Sequence, residues 1–381
     1  MSSLAKASSR RLTDEQRAIA ELAFTLGAAY ADRRFDDHDA SLGQWDELAA
    51  SGLTGLSLPE AYGGAGGMLE LCIASERLAA GGYPAAKLII STAMAGSMIA
   101  RHGTPEQQQR WLPGIGSGEL RFCFAFTEPE AGSNANNLRT TARALHGGFT
   151  VSGEKTYISA LESSEMMIVV ARDAGSDGLT LVVLPLPCER VTATRVNVEV
   201  PAFEHQWSVF FDGAVAPSAD VLGAPGHGGR VLFDGLNPER LVVASQAVGI
   251  GRWSLEKAAG YARDRVVFEV PIGTHQAVQH PLAEALVALE GAWALTIAAA
   301  RLYDEGEQAG LESNMAKIAA CDAGLLAADR SLQVFGGSGF TDETMMLQRF
   351  TYMRLLRSIP VARELALNHV ATSGLGLPRS Y

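Results

Sequence analysis

The sequence is poor in cysteine and in charge. Of its 381 residues only four are cysteines, Cys72, Cys123, Cys188 and Cys321, and they show neither CxxC nor Cys/His spacing. This excludes a disulfide framework and a zinc-binding cysteine motif, and it is typical of a reducing compartment. Charged residues make up 19% of the chain and hydrophobic residues 47%, a balance that favours folded domains over disorder.

Basic clusters are absent beyond the pairs Arg10–Arg11 and Arg33–Arg34, and the formal net charge is −11. A nucleic-acid partner is therefore not expected, because such proteins need a basic face. The first residues lack the apolar run of a signal peptide, and the apolar stretch at 88–100 is too short to cross a bilayer. We expect a cytoplasmic protein with no membrane partner.

Common catalytic motifs are also missing. The chain contains no HExxH, GxSxG, P-loop or GxGxxG, and none of its eight histidines stands in metal-ligand spacing. The sequence therefore predicts neither a catalytic metal nor a Rossmann-type nucleotide site.

What is present is a change of hydrophobic period along the chain. Residues 1–120 show helical spacing, residues 121–225 show short runs rich in Val, Thr, Ile and Phe, and residues 226–381 return to helical spacing. The pattern predicts an α+β protein of several domains: a helical domain, an antiparallel β barrel or sandwich, and a helical bundle.

The stretch FAFTEPEAGSNANN at 124–137 places polar groups where a predicted strand ends. Pro129 and Gly132 end the strand, while Thr127, Glu128 and Ser133 add two hydroxyls and a carboxylate. An ordinary exit from a strand into a loop explains the stretch equally well on local grounds.

Several motifs in one order identify the family. FTEPEAGSN is followed by GEKTYIS at 153–159, ERLVVASQAVGIG at 239–251 and QVFGGSGF at 333–340, and the chain also contains LPEAYGG at 58–64 and RDRVVFEVPIGTHQAVQHPLAE at 263–284. The chain resembles the acyl-CoA dehydrogenase family of flavoproteins over essentially its whole length. The resemblance implies an N-terminal helical domain, a middle β domain and a C-terminal four-helix bundle, with FAD bound between the β domain and the bundle.

The resemblance also implies which residues line the flavin. Phe124, Phe126 and Thr127 would follow the isoalloxazine, with Ser133 near the flavin phosphates or the acyl-CoA. Tyr157, Ile158 and Ser159 take the place of the family's usual Trp-Ile-Thr. The alternative for Tyr157 is an aromatic residue that packs on a barrel face.

A second group would reach the FAD of a neighbouring subunit. It comprises Arg265, Phe268, Gln276, Gln333, Gly336 and Gly337. The glycines also suit the C-terminal turn of a helix. One departure is Glu269, which stands where the family usually has glycine after phenylalanine.

The base is not where many family members carry it. Ile359-Pro360-Val361-Ala362 replaces their Tyr-Glu-Gly-Thr, so we expect Glu239 of the Glu-Arg-Leu segment to be the base, as in isovaleryl- and long-chain-type enzymes, with Arg240 orienting base or substrate. The alternative is that Asn237 caps a helix, Pro238 begins it, and Glu239 only favours the helix dipole.

Proline at 360 also removes the backbone N–H that the family aims at the thioester carbonyl. We expect the Val361 N–H to take over this contact.

The resemblance implies dehydrogenation of an acyl-CoA to the 2-enoyl-CoA, with electrons passed to an electron-transfer flavoprotein and a homotetramer as the assembly. Three alternatives stay open: a subunit of a heteromeric dehydrogenase, an oxygen-using flavin oxidase or monooxygenase of the same fold, and a binding protein without activity.

Overall fold

The N-terminal part of the chain is helical, as the sequence predicts. The computed structural model describes residues 12–380. The Arg10–Arg11 pair and the first residues, on which the expectation about a signal peptide rests, lie outside the described residues. Thr13 and Thr104 cap two of the helices, each paired with a glutamine in a capping box. The helices are α1 (Asp14–Ala29), α2 (His38–Ala50), α3 (Met68–Gly81), α4 (Ser97–His102) and α5 (Pro105–Ser117), with a π-helix at Leu88–Gly96.

An eight-stranded sheet forms the middle of the chain. Its strands are β1 (Phe122–Ala125), β2 (Thr141–Leu145), β3 (Gly148–Ser159), β4 (Met166–Asp173), β5 (Leu179–Pro185), β6 (Val191–Val196), β7 (Gln206–Pro217) and β8 (Val221–Leu222). The order is β6-β7-β3-β2-β4-β5-β8, and β1 pairs with β4. The expectation of an antiparallel domain needs one correction, because β4 pairs in parallel with both β1 and β2.

Strand β4 is buried on both of its faces. Met166, Ile168 and Val170 belong to a cluster shared with helices, while Met167 and Val169 belong to the core inside the β domain. A strand covered on both faces reads as a continuous apolar run rather than an alternation. The sequence MMIVVA therefore reflects a central strand with helices packed against it.

The C-terminal part is a bundle of long helices with a small hairpin at one end. The elements are α6 (Gly228–Asp264), β9 (Val266–Val267), β10 (Val270–Pro271), α7 (Gln276–Asp304), α8 (Gly310–Phe335), α9 (Met346–Leu356) and α10 (Arg363–His369). Helices α6 to α9 are the predicted four-helix bundle. Helices α1 and α3 share one hydrophobic core with this bundle, so the N-terminal helices and the bundle do not have separate cores. The domain boundaries at 120/121 and 225/226 stay predictions.

Helix α7 is the one described helix with the length and apolar composition needed to cross a membrane, and 33% of its most apolar window is buried in this chain. Core helices of other proteins meet the same criteria. Its exposed apolar residues include Val287, which is 74% exposed.

Candidate functional site

The predicted flavin residues meet where β1 and β3 end. The backbone N–H of Thr156 donates to the Thr127 carbonyl at 2.8 Å, and Lys155 Nζ donates to the Phe126 carbonyl at 2.8 Å. The two motifs, separate in the sequence, thus form one surface. The Thr127 hydroxyl has no hydrogen-bond partner among residues 12–380, which leaves it available to a ligand.

Tyr157 departs from the regular geometry of its strand. Its φ is 57°, a conformation that tyrosine rarely adopts, and the pairing of β3 with β7 is irregular between Lys155 and Ile158. The irregularity turns the Tyr157 side chain outward, where it is 61% exposed, while Ile158 is buried. Tyr157 therefore does not fill a barrel face within this chain, and its bare ring suits stacking against a planar group.

The other residues of this group differ in their surroundings. Ser159 exchanges hydrogen bonds with Gln206, at 2.8 and 3.1 Å between the hydroxyl and the amide. Phe124 and Phe126 lie with their ring centroids 6.2 Å apart and pack against the helix-lined core, whereas Ser133 is exposed in the following loop.

Glu128, at the same strand end, is a structural carboxylate. It is 4% exposed and accepts from Lys155 Nζ at 2.8 Å and from the backbone N–H groups of Arg139 and Thr140 at 2.6 and 2.9 Å. Burial acts to raise the pKa of Glu128, but these donors prevail and hold it below its usual value. The group is fully engaged and has no proton chemistry to offer.

Glu239 has the opposite surroundings. It is 7% exposed on α6, and its Oε2 atom lacks a hydrogen-bond partner among the described residues. Burial raises the pKa of Glu239 to about 8, although Arg240 and Lys317 both act to lower it. A buried carboxyl with an unsatisfied oxygen and a pKa near neutrality is suited to accept a proton.

The alternative local explanation of Glu239 is wrong. Helix α6 begins at Gly228, so Asn237 does not cap it and Pro238 lies inside it. The helix dipole acts only within the first turn, so Glu239 lies too far along the helix to be explained by it. Asn237 instead accepts from Arg240 Nη1 at 2.9 Å.

Lys317 was missed by sequence reasoning. It is 1% exposed on α8, and its Nζ donates to the carbonyls of Arg357 and Val361 at 3.2 and 2.7 Å. Burial lowers the pKa of Lys317. The signal in the sequence is a single charge inside the apolar run SNMAKIAAC.

The same helix also binds the segment around Pro360 through a carboxylate. Asp322 accepts from Arg357 at 2.8 Å and from Arg363 at 2.8 Å. The segment 357–363, which takes the place of the family's usual base, is thus anchored to α8 at its two ends. The Val361 N–H makes no hydrogen bond with any described residue.

The third predicted group lies at one end of the bundle. Tyr261 and Phe335 stack with ring centroids 4.5 Å apart, which brings the end of α6 beside the end of α8. Phe268 is 88% exposed at the tip of the β9–β10 hairpin, where Glu269 also has a positive φ. The rest of the group is exposed as well: Arg265, Gln276, Gln333, Gly336 and Gly337.

Gly336 ends α8 with a φ of 55°, so the helix-turn explanation of the glycines is confirmed. An added Cβ at Gly336 or Gly337 would meet nothing within 4 Å, which leaves open space beside both. In the single chain this end of the bundle therefore has an exposed surface.

Family models match almost the whole chain. The acyl-CoA dehydrogenase N-terminal domain matches residues 7–119, the middle domain residues 123–211, and the C-terminal domain residues 226–373. Acyl-CoA dehydrogenase FadE12 of Mycobacterium tuberculosis is 39% identical over 373 residues, 96% of each protein.

Two solved structures are also similar at 25% sequence identity. The butyryl-CoA dehydrogenase of Megasphaera elsdenii has a TM-score of 0.89, and the alignment covers 97% of this chain and 99% of that one. A chain solved with work on the electron transferring flavoprotein of Acidaminococcus fermentans has a TM-score of 0.91. The alignment covers 96% of this chain and 99% of that one.

Proposed function

The chain belongs to the acyl-CoA dehydrogenase family, and we propose that it converts an acyl-CoA thioester to the 2-enoyl-CoA with Glu239 as the base. It is an oxidoreductase, and FAD is its cofactor. The observation that carries the proposal is the unsatisfied Oε2 of a buried Glu239.

The residues present fit a flavin. The Thr127 hydroxyl has no hydrogen-bond partner among the described residues, and Ser133 and the ring of Tyr157 are exposed. FAD, when bound there, supplies the acceptor for the hydride that leaves the β-carbon. Thr127, Tyr157 and Ser159 would hold the ring, and Arg265, Phe268, Gln276, Gln333, Gly336 and Gly337 would hold the cofactor of a neighbouring subunit.

Glu239 removes the α-proton onto its carboxylate. The α-proton of a thioester is weakly acidic, so a carboxylate with a pKa near 8 is a better match than an exposed glutamate. Arg240 lies next to it, buried and bound to Asn237, where its positive charge favours the ionised form of Glu239. We propose that Arg240 orients either the base or the substrate.

The Val361 N–H is the proposed donor to the thioester oxygen in place of residue 360. Residue 361 is held in position because Lys317 donates to the Val361 carbonyl, in the next peptide group, at 2.7 Å. Losing an oxyanion donor altogether costs about 2.7–4 kcal/mol in acyl-transfer enzymes, so a replacement is required for efficient turnover.

The remaining partners are proposals of the same kind. An electron-transfer flavoprotein would accept the electrons, in a cytoplasmic setting. A homotetramer is favoured because the exposed bundle end and the exposed apolar residues of α7 offer surfaces to further copies.

The decisive experiment is an anaerobic titration of the purified yellow protein with a panel of straight, branched, long and polycyclic acyl-CoAs. Bleaching of the flavin in the wild type, with binding but no bleaching in Glu239→Gln, is expected. A protein that binds no FAD, or a variant that bleaches at the wild-type rate, would overturn the assignment.

Two further observations separate the alternatives. Co-purification of a second, related chain indicates a heteromeric enzyme. Rapid reoxidation of the reduced flavin in air indicates an oxidase or monooxygenase.

A further inference from the structure

Three side chains with metal-binding atoms converge where the N-terminal helices meet the sheet. His38 is the first residue of α2, Glu162 lies in the 3-10 turn Leu161–Ser163 after β3, and His205 directly precedes β7. One donor atom of each lies within 4.8 Å of the other two. The expectation that no metal binds was based on spacing along the chain, which cannot show residues this far apart in sequence.

Hydrogen bonds orient the two imidazoles. His38 Nδ1 lies 2.9 Å from the Phe203 carbonyl, which only accepts, so Nδ1 carries the proton and Nε2 keeps its lone pair. A backbone carbonyl on the far nitrogen is the usual support of a metal-bound histidine. The ring centroids of His38 and His205 are 3.4 Å apart, and His205 Nδ1 contacts Glu162 Oε1.

A single buried carboxylate ties the three segments together. Glu204, next to His205, is 6% exposed and pairs with Lys87. It also accepts from the hydroxyl of Ser41, on the same helix as His38, at 3.0 Å, and from Ser163, next to Glu162, at 3.3 Å. The backbone under all three donor side chains is thus held by one network, which is the support that a preorganised site needs.

We propose that His38, Glu162 and His205 form a binding site for a divalent first-row cation, with zinc as the best match. Two imidazoles and one carboxylate suit such a metal, whereas calcium and magnesium prefer oxygen ligands.

The distances require only a small closure. Zinc bonds of about 2.0–2.2 Å place two donors at most about 4.4 Å apart. The Glu162 side chain is 41% exposed and can move inward, and the site keeps a position for water.

The bound cation would link the N-terminal helical domain to the β domain. Its site also adjoins the flavin surface, because Gln206, the neighbour of His205, bonds the Ser159 hydroxyl. The proposal does not depend on the acyl-CoA chemistry, since none of its three ligands takes part in it.

The test uses the FAD-loaded protein, freed of metal by a chelator and titrated with ZnCl₂ in a calorimeter. One zinc per chain and a zinc-dependent rise in melting temperature are expected. CoCl₂ should give the intense visible bands of four-coordinate cobalt.

His205→Gln should weaken zinc binding at least about tenfold and abolish the rise in melting temperature. His146→Gln removes an exposed histidine from the turn between β2 and β3 and serves as the matched control, with unchanged binding. Glu162→Gln, at an exposed position, tests the site even where His205→Gln folds poorly. The proposal is wrong if the wild-type protein binds no zinc, or if Glu162→Gln and His205→Gln both bind zinc with the wild-type affinity.

Discussion

Two buried glutamates of this chain, each next to a cation, have opposite properties. Glu128 has Lys155 and two backbone N–H groups as partners, and its pKa is lowered. Glu239 has an oxygen without a partner, and burial raises its pKa to about 8. The two side chains are similarly buried, at 4% and 7% exposure.

The difference shows that burial alone does not mark a base. A buried carboxylate whose hydrogen bonds are complete stabilises the fold, and one whose hydrogen bonds are incomplete destabilises it unless a ligand completes them. The sequence makes Glu128 the more conspicuous of the two, because it stands in the TEPEAGS motif, but the carboxyl with an unsatisfied oxygen is that of Glu239, the proposed base.

The largest expected effect comes from Glu239→Gln. The variant keeps the shape of the side chain and removes the proposed base, so flavin reduction by acyl-CoA should slow by about 10²–10⁴-fold. The carboxyl accepts a proton only when ionised, so the wild-type rate should rise with pH through about 8, and this rise should be missing in the variant. Stopped-flow absorbance measures both.

Glu256→Gln, a substitution at an exposed position of the same helix, is the control. Its flavin should be reduced by acyl-CoA at the wild-type rate. A pH profile that is identical in wild type and Glu239→Gln would remove the contrast between the two glutamates.

Glu128→Gln should act on stability instead. It leaves the buried ammonium of Lys155 without a counter-charge, and breaking a buried pair in this way costs about 3–5 kcal/mol. Urea unfolding should show this loss in the free energy of unfolding. The control Glu130→Gln, at an exposed neighbouring position, should change that free energy by close to zero. A fully stable Glu128→Gln with slow flavin reduction would reverse the roles assigned here.

Lys317→Met should have an intermediate effect with a specific signature. It removes the donor to the carbonyls of Arg357 and Val361, which should cost about 1–3 kcal/mol. Lys317 also acts to lower the pKa of Glu239, so the pH–rate curve of the variant should move to higher pH. Loss of stability with an unmoved pH–rate curve would limit Lys317 to a structural role.

Asp322→Asn should have the smallest effect. Its partners Arg357 and Arg363 are 34% and 28% exposed, and pairs of this kind contribute roughly 0–1 kcal/mol. A melting curve should shift little more than that of Asp329→Asn on the same helix. A large loss of activity in Asp322→Asn would show that the segment around Pro360 needs both of its anchors.

The sequence predicted the order of the three parts because hydrophobic period is a local property. The caps at Thr13 and Thr104 are local features as well, since their hydrogen bonds span only three residues. The parallel pairs of β4 were not predicted, since they join strands that are distant in the chain.

The candidate site divides in the same way. Thr127, Tyr157 and Glu239 could be named from motifs that resemble a family. Lys317 could not, because its role depends on carbonyls 40 and 44 residues away that nothing in the local sequence marks. The alternative in which a helix starts at Pro238 is excluded only by the structure, since proline is also common in the first turn of a helix.

Helix α6 joins two hydrophobic cores. Leu232 and Leu236 belong to the core under the sheet, while Leu241 and Val248 belong to the core of the bundle. Glu239 stands between them, where the helix passes from one core to the other. The position of the Glu239 carboxylate therefore depends on the packing of both cores. We therefore expect substitutions that repack either core to shift the position of the proposed base, although they lie away from Glu239 itself.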